Sequence, residues 1–399
     1  MTAAYVCDAA RTAIGRWNGA LAHVRADDLA AAPIRALTAR NDLDPSAIDE
    51  VYLGCANQAG EDNRNVARMA GLLAGLPVAV PGVTFNRLCA SGAEAVGAAA
   101  RAIRAGEAEL ILAGGVESMT RSPLVMAKAE TAFQRGMRLE DTTIGWRFIN
   151  PRMHALHGTA AMPETAEHVA ERWRISREDQ DAFALASQTK AAAAQAAGWF
   201  AEEVIPFEAV DARGRSFVFD RDEHPRETSL EKLAALKPVV KSGGTVTAGN
   251  ASGVNDGAAA MFIASDTAAQ RHRLTPRARI LGLASAGVEP DVMGIGPVGA
   301  IRKLLARLSL RLDDLDLIEL NEAFASQSLA CLRELGIDDA DPRVNPQGGA
   351  IALGHPLGMS GARLVQTAVH ALEAGKARRA LVTMCVGVGQ GVALIVEKV

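Results

Sequence analysis

No stretch of this sequence approaches the roughly 18 consecutive apolar residues of a membrane-crossing helix, so no membrane span is expected. The first residues, Met1-Thr-Ala-Ala-Tyr-Val-Cys-Asp, lack a basic start followed by an apolar core, so no secretory leader is expected and the cytoplasm is the expected location. Positive charge is not in surplus: 42 Lys and Arg stand against 46 Asp and Glu, a formal net charge of -4. That balance leaves no footprint for nucleic acid or anionic lipid. The five cysteines (Cys7, Cys55, Cys89, Cys331, Cys385) include no C-x-x-C pair, which argues against a disulfide framework and a zinc knuckle. Polar low-complexity runs are missing too, and no phosphate-binding P-loop is present. At 399 residues with 49% hydrophobic content, the chain exceeds what one core supports, so two or more domains are expected.

What is there is an internal duplication. Ser91-Gly-Ala-Glu-Ala-Val-Gly, Ala102-Ile-Arg-Ala-Gly-Glu-Ala and Leu110-Ile-Leu match Ser360-Gly-Ala-Arg-Leu-Val-Gln, Ala371-Leu-Glu-Ala-Gly-Lys-Ala and Ala380-Leu-Val, at offsets of about 269 positions. The same register relates Leu43-Asp44, Ile48 and Val51 to Leu312-Asp313, Leu317 and Leu320, too long a correspondence for chance. Each half reads as short apolar strands alternating with Ala-rich helices, which predicts an α/β fold with a mainly parallel sheet covered by helices. The two halves are expected to pack as pseudo-symmetric partners. Residues 121–250 have no counterpart and are richer in Arg, Met, Trp and Pro, so they read as an inserted lid or loop domain. The expected organisation is 1–120 plus 251–270, the insert 121–250, and 271–399.

Cys89, in Asn86-Arg-Leu-Cys-Ala-Ser-Gly, falls between an extended run and a helix beginning near Ser91. Backbone N–H groups at a helix N-terminus stabilise a thiolate and can receive an oxyanion. The alternative is an inert buried thiol. Position 358 is the counterpart of 89, and it lies in Gly348-Gly-Ala-Ile-Ala-Leu-Gly-His-Pro-Leu-Gly-Met-Ser-Gly. His355 is therefore on the equivalent turn and can meet Cys89 across the pseudo-dyad as its base. Cys385, in Met384-Cys-Val-Gly-Val-Gly-Gln-Gly, adds a second thiol after an apolar strand. The spacing there is G-x-G-x-G and a strand follows, so no dinucleotide fingerprint results. Asn321 closes the strand Leu317-Ile-Glu-Leu and offers an amide. His154 and His157 lack further ligands for a metal, and no metal site is expected.

These motifs, in this order and across essentially the whole chain, resemble the thiolase family: NRLCASG its nucleophile block, NEAFA its asparagine block, GGAIALGHPLGMSGAR its histidine block and CVGVGQG its second-cysteine block. The resemblance implies a thiolase-like fold, two duplicated βαβ-type halves in αβαβα layers with an inserted loop domain. It implies that Cys89 becomes acylated, that His355 activates it and shares an oxyanion hole with a water held by Asn321, and that Cys385 exchanges a proton with the acetyl carbon. The N–H groups of Cys89 and Gly387 would form a second oxyanion hole. The block Gly244-Thr-Val-Thr-Ala-Gly-Asn-Ala-Ser-Gly resembles the CoA-facing segment, with Ser252 on the pantetheine, Ala248 lining its tunnel and Arg226 flanking the nucleotide end. Met162 and Phe324 would line the acyl pocket. CoA and acyl-CoA are then substrates and partners, no cofactor is implied, and a homodimer or homotetramer is expected.

Ala161-Met-Pro-Glu-Thr-Ala-Glu stands where acetoacetyl-CoA thiolases usually present a His-Met pair. With Asp141-Thr-Thr-Ile-Gly-Trp-Arg-Phe-Ile-Asn-Pro-Arg, it resembles the branch that cleaves 3-oxoadipyl-CoA to succinyl-CoA and acetyl-CoA. Arg147 and Arg152 are candidate partners of that substrate's carboxylate. An acetoacetyl-CoA thiolase would share every catalytic residue, a ketoacyl synthase would place a second histidine at position 321, and a non-catalytic acyl-CoA carrier would not need Cys89.

Overall fold

The computed structural model describes residues 2–399. Nine strands carry the main sheet: β1 (Tyr5–Arg11), β2 (Glu50–Gly54), β3 (Gly82–Phe85), β4 (Leu110–Ser118), β5 (Asn255–Ala264), β6 (Ala278–Gly287), β7 (Leu317–Leu320), β8 (Arg379–Val386) and β9 (Gln390–Lys398). Their order is β7-β8-β9-β6-β1-β5-β4-β2-β3, with the short strand Gly15–Arg16 added beside β5. Strands β6 and β1 touch only through Tyr5↔Arg279 and Val6↔Ala278, an antiparallel joint about which the two halves repeat. On either side, β2 corresponds to β7, β4 to β8 and β5 to β9. The sheet is not mainly parallel: β2 runs parallel to β3 and β4, and β7 to β8, while the other pairs are antiparallel. Helical crossovers make the parallel pairs, and strands that return directly, such as the β8–β9 hairpin, make the antiparallel ones.

Period-two alternation sorts the strand residues between layers. Along β4, Ile111 and Ala113 face an inner cluster with the helices Ser91–Ala105 and Leu357–Ala374, while Leu110 and Leu112 face an outer cluster with the helix Ala26–Arg40. Strand β8 repeats this: Val382 and Met384 face inward, and Leu381 faces the helix Gly296–Leu308. Because both sheet faces are covered, these strands read as continuous apolar runs. The two inner helices meet through glycine. A Cβ on Gly92 would strike the backbone of Gly358 and Ala362, and one on Gly361 would strike the backbone of Ala93. These contacts are reciprocal under the 269-residue register, which places the pseudo-dyad between the two helices.

The segment 121–250 is less loop-like than its composition suggested. It holds the helices Pro151–His157, Met162–Trp173 and Arg177–Ala196 and the hairpin Phe207–Val210/Ser216–Phe219. The twenty-residue helix Arg177–Ala196 starts where the Ser176 hydroxyl accepts the Asp179 N–H at 3.0 Å, with Glu178 and Asp179 in its first turn. Its Ala-rich sequence then propagates the helix. No helix among the described residues is long and apolar enough to cross a membrane.

Candidate active site

Cys89 sits on a turn that its neighbours hold rigid. Asn86 accepts the Leu88 N–H at 2.9 Å and donates to Ala56 O, while the Ser91 hydroxyl accepts the Arg87 N–H at 2.9 Å. Leu88 is forced to φ +45°, a strained conformation for a branched side chain, which turns Cys89 out at the head of the helix Ser91–Ala105. A second strained residue faces it: Val388, at φ +61°, follows Gly387 in the turn between β8 and β9.

These turns border one cavity of about 600 Å³. Cys89, His355, Cys385 and Gly387 all line it, as do Met162, Ala248, Ser252 and Phe324. Two expected residues do not. Asn321 is fully buried behind His355, with Nδ2 3.3 Å from Nε2 of that ring. Arg226 is an exposed residue whose guanidinium donates to the carbonyl of Ala248 at 2.8 Å, so it touches the wall from outside. The segment 244–253 is docked directly on the asparagine block, since Ser252 N–H donates to Ala323 O and Ala325 N–H to Asn250 O.

Burial pushes the Cys89 thiol up to about 11, against the smaller opposing pull of the backbone N–H groups of Gly387 and of Cys89 itself. Those two donors mark a place where negative charge on sulfur or on an acyl oxygen is stabilised. Cys385 is held well above the usual thiol range, first by burial and then by the neighbouring Cys89. His355 is pushed down to about 3 by burial and by Arg363. At neutral pH the site therefore holds two thiols and a neutral imidazole. The tautomer follows from the hydrogen bonds. Ser360 donates its hydroxyl to Pro356 O at 2.7 Å, so at 2.6 Å from His355 Nδ1 it accepts, and the ring proton sits on Nδ1. Nε2 is left as the acceptor that a base requires.

Sequence reasoning missed Glu117. It is buried at the end of β4, lines the cavity, and accepts the N–H groups of Ala56 (2.9 Å), Asn57 (3.1 Å) and Gly358 (2.8 Å), which ties the histidine turn to the opposite half. The available signal was a carboxylate ending an otherwise apolar strand. Burial raises its titration to about 7. Cys55, Asp62 and Glu117 lie close enough together to suggest a metal site. However, the carboxylate of Glu117 is occupied by those three N–H groups, and the Cys55 thiol donates to Asp62 at 3.7 Å.

Residues 4–267 match the model for the thiolase N-terminal domain and residues 274–398 that for the thiolase C-terminal domain. The chain is 66% identical over 397 residues to a beta-ketoadipyl-CoA thiolase of Pseudomonas aeruginosa, covering 99% of both chains. It is 60% identical over 401 residues to a 3-oxoadipyl-CoA/3-oxo-5,6-dehydrosuberyl-CoA thiolase of Escherichia coli, covering 100% of both. Among solved structures, the acetyl-CoA acetyltransferase of Bacillus anthracis superposes with a TM-score of 0.93 at 40% identity, covering 100% of this chain and 99% of that one. With both domain models matched and full-length relatives at this identity, the chain belongs to the thiolase family.

Proposed function

We propose that this enzyme cleaves 3-oxoadipyl-CoA with CoA to succinyl-CoA and acetyl-CoA, through an acyl intermediate on Cys89. The observation that carries the chemistry is the cavity that Cys89, His355, Cys385 and Gly387 line together. The relatives named for β-ketoadipyl-CoA and 3-oxoadipyl-CoA support the choice of substrate.

His355 Nε2 takes the Cys89 proton as the sulfur attacks the 3-keto carbon, and the Nδ1–H bond to Ser360 steadies the imidazolium that results. The C2–C3 bond then breaks. Its electron pair leaves as the enolate of acetyl-CoA, and Cys385 delivers a proton to the carbon. A single aimed donor at such an oxygen is worth roughly 100- to 1000-fold in rate. His355 lies beside Asn321, whose Nδ2 reaches its ring at 3.3 Å, and this pair would place a water for one oxyanion. Free CoA next gives its thiol proton to Cys385 and attacks the succinyl thioester. That step expels Cys89 as a thiolate, which recovers its proton from His355, and closes a ping-pong cycle with no cofactor beyond the two CoA substrates.

The Ser252 and Ala248 wall would take the pantetheine, with Met162 and Phe324 around the acyl group and Arg226 toward the nucleotide. A homodimer or homotetramer in the cytoplasm is the expected working form. It is supported by exposed apolar residues between 124 and 149 (Leu124, Met126, Phe133, Leu139, Phe148) and by β3 at an open sheet edge. The test is CoA-dependent thiolysis of 3-oxoadipyl-CoA beside acetoacetyl-CoA. Preference for the dicarboxylic substrate, lost in Cys89→Ala, is expected. Equal or better cleavage of acetoacetyl-CoA would overturn the substrate assignment, and thiolysis surviving in Cys89→Ala would overturn the mechanism.

A further inference from the structure

Cleavage of 3-oxoadipyl-CoA brings a problem that acetoacetyl-CoA does not. The substrate ends in a carboxylate three C–C bonds beyond the carbon that Cys89 attacks, roughly 4 Å for an extended chain. That short reach keeps the charge inside the cavity holding the nucleophile. The walls there are mostly apolar, and an ionised carboxylate taken out of water needs a cation or several strong donors. The nearest existing charge is unhelpful, because Glu117 faces the same space and repels a second carboxylate once ionised.

Among the described residues lining the cavity, Arg147 is the one Lys or Arg. It forms no ion pair with any described residue, and its one hydrogen bond runs from Nη2 to Asn57 Oδ1 at 3.1 Å. Asn57 is itself anchored: its N–H goes to Glu117, and its Nδ2 donates to the hydroxyls of Ser122 at 2.9 Å and Thr142 at 3.1 Å. One edge of the guanidinium is thereby fixed to the floor of the N-terminal half, and Nε and Nη1 are left without a protein partner. A planar fork with unused donors suits a carboxylate. Arg152, the other candidate from sequence, is exposed at the start of the helix Pro151–His157 and does not line the cavity.

We infer that Arg147 binds the distal carboxylate of the acyl chain and sets the preference for dicarboxylic 3-oxoacyl-CoA substrates. The inference rests on the substrate reading above. It is tested by measuring kcat/KM of wild-type, Arg147→Gln and Arg147→Lys enzymes on 3-oxoadipyl-CoA and on 3-oxohexanoyl-CoA, which has the same six carbons and a methyl terminus. The readout is the ratio of the two within each protein, so a loss of folded enzyme cancels. Removing a charge-assisted bond should lower the ratio roughly 10- to 100-fold in Arg147→Gln. Arg147→Lys, which keeps the charge without the fork, should fall in between. A wild-type preference for 3-oxoadipyl-CoA that Arg147→Gln leaves unchanged overturns the role of Arg147 alone. A wild-type enzyme that cleaves the methyl-terminated thioester equally well overturns the substrate reading, and the role of Arg147 with it.

Discussion

Replacing Glu117 by Gln separates stability from function in opposite directions. The buried carboxyl titrates near 7 rather than at 4.5 because burial disfavours its charge. Between those two values the folded chain keeps a proton that the unfolded chain has released, so the contribution of this group is complete below pH 4.5 and is lost as pH rises through 7. At ~1.4 kcal/mol per pH unit the loss comes to ~3 kcal/mol. The substituted amide has nothing to titrate and escapes it. The stability of the variant relative to the wild type should rise by ~3 kcal/mol between pH 4.5 and pH 8, from a start lowered by the ~1–3 kcal/mol cost of one unpaired N–H, as read from thermal or urea unfolding across that range. Kinetics should move the other way. Three N–H groups converge on the carboxylate, and an amide has one acceptor oxygen. If that oxygen keeps Ala56 and Gly358, which share Oε2, the amide NH2 confronts the Asn57 N–H. The disturbance then passes to Arg147 through Asn57. A buried donor left unpaired is worth about 1–3 kcal/mol, or roughly 5- to 100-fold in kcat/KM for 3-oxoadipyl-CoA. Unfolding curves of the two proteins that stay parallel over this pH range would refute the argument, as would a variant that is both more stable and fully active.

In the ligand-free enzyme, alkylation of Cys89 by iodoacetamide should accelerate close to tenfold per pH unit through pH 9, because the reactive thiolate forms only toward 11; a plateau at or below pH 8 would show an activated resting thiolate instead. Ser360→Ala removes the acceptor that keeps the His355 proton on Nδ1, so kcat should fall roughly 5- to 100-fold, the value of one unpaired buried donor. A steady-state assay in which only KM changes would contradict that assignment of the tautomer.

Much of this was legible in the sequence because duplication is a long-range signal. The 269-residue register ties Cys89 to the histidine turn, and short apolar runs bounded by glycine, charge or a polar residue mark β2, β4, β7 and β8. Strand direction was not legible, since a strand buried on both faces has the same composition in a parallel or an antiparallel pair. Arg, Met, Trp and Pro in 121–250 read as irregular chain, whereas the cap at Ser176 and the alanine run after it make a helix there. Glu117 escaped notice for a different reason. Its partners are the backbone N–H groups of residues 56, 57 and 358, which leave no mark on residue identity. For the same reason, choosing between Arg147 and Arg152 required knowing which side chain lines the cavity.

A duplicated scaffold could have built two mirrored active sites, and the residues at the mirrored positions explain why it holds one. Each proposed catalytic position has a structural counterpart. Opposite Cys89 is Gly358, where a Cβ would collide with the carbonyls of Gly54 and Val116. Opposite His355 is Asn86, spent on fixing the nucleophile turn through Leu88 N–H and Ala56 O. Opposite Cys385 is Val116, part of the outer core. The backbone donor is the most telling case. The Cys89 N–H favours charge on the Cys89 sulfur, whereas its counterpart, the Gly358 N–H, is capped by Glu117 at 2.8 Å. Glu117 therefore fills the position that an oxyanion would take in a second site. The same carboxylate that closes this mirrored hole locks the histidine turn against the N-terminal half, so the asymmetry that leaves one site also assembles it.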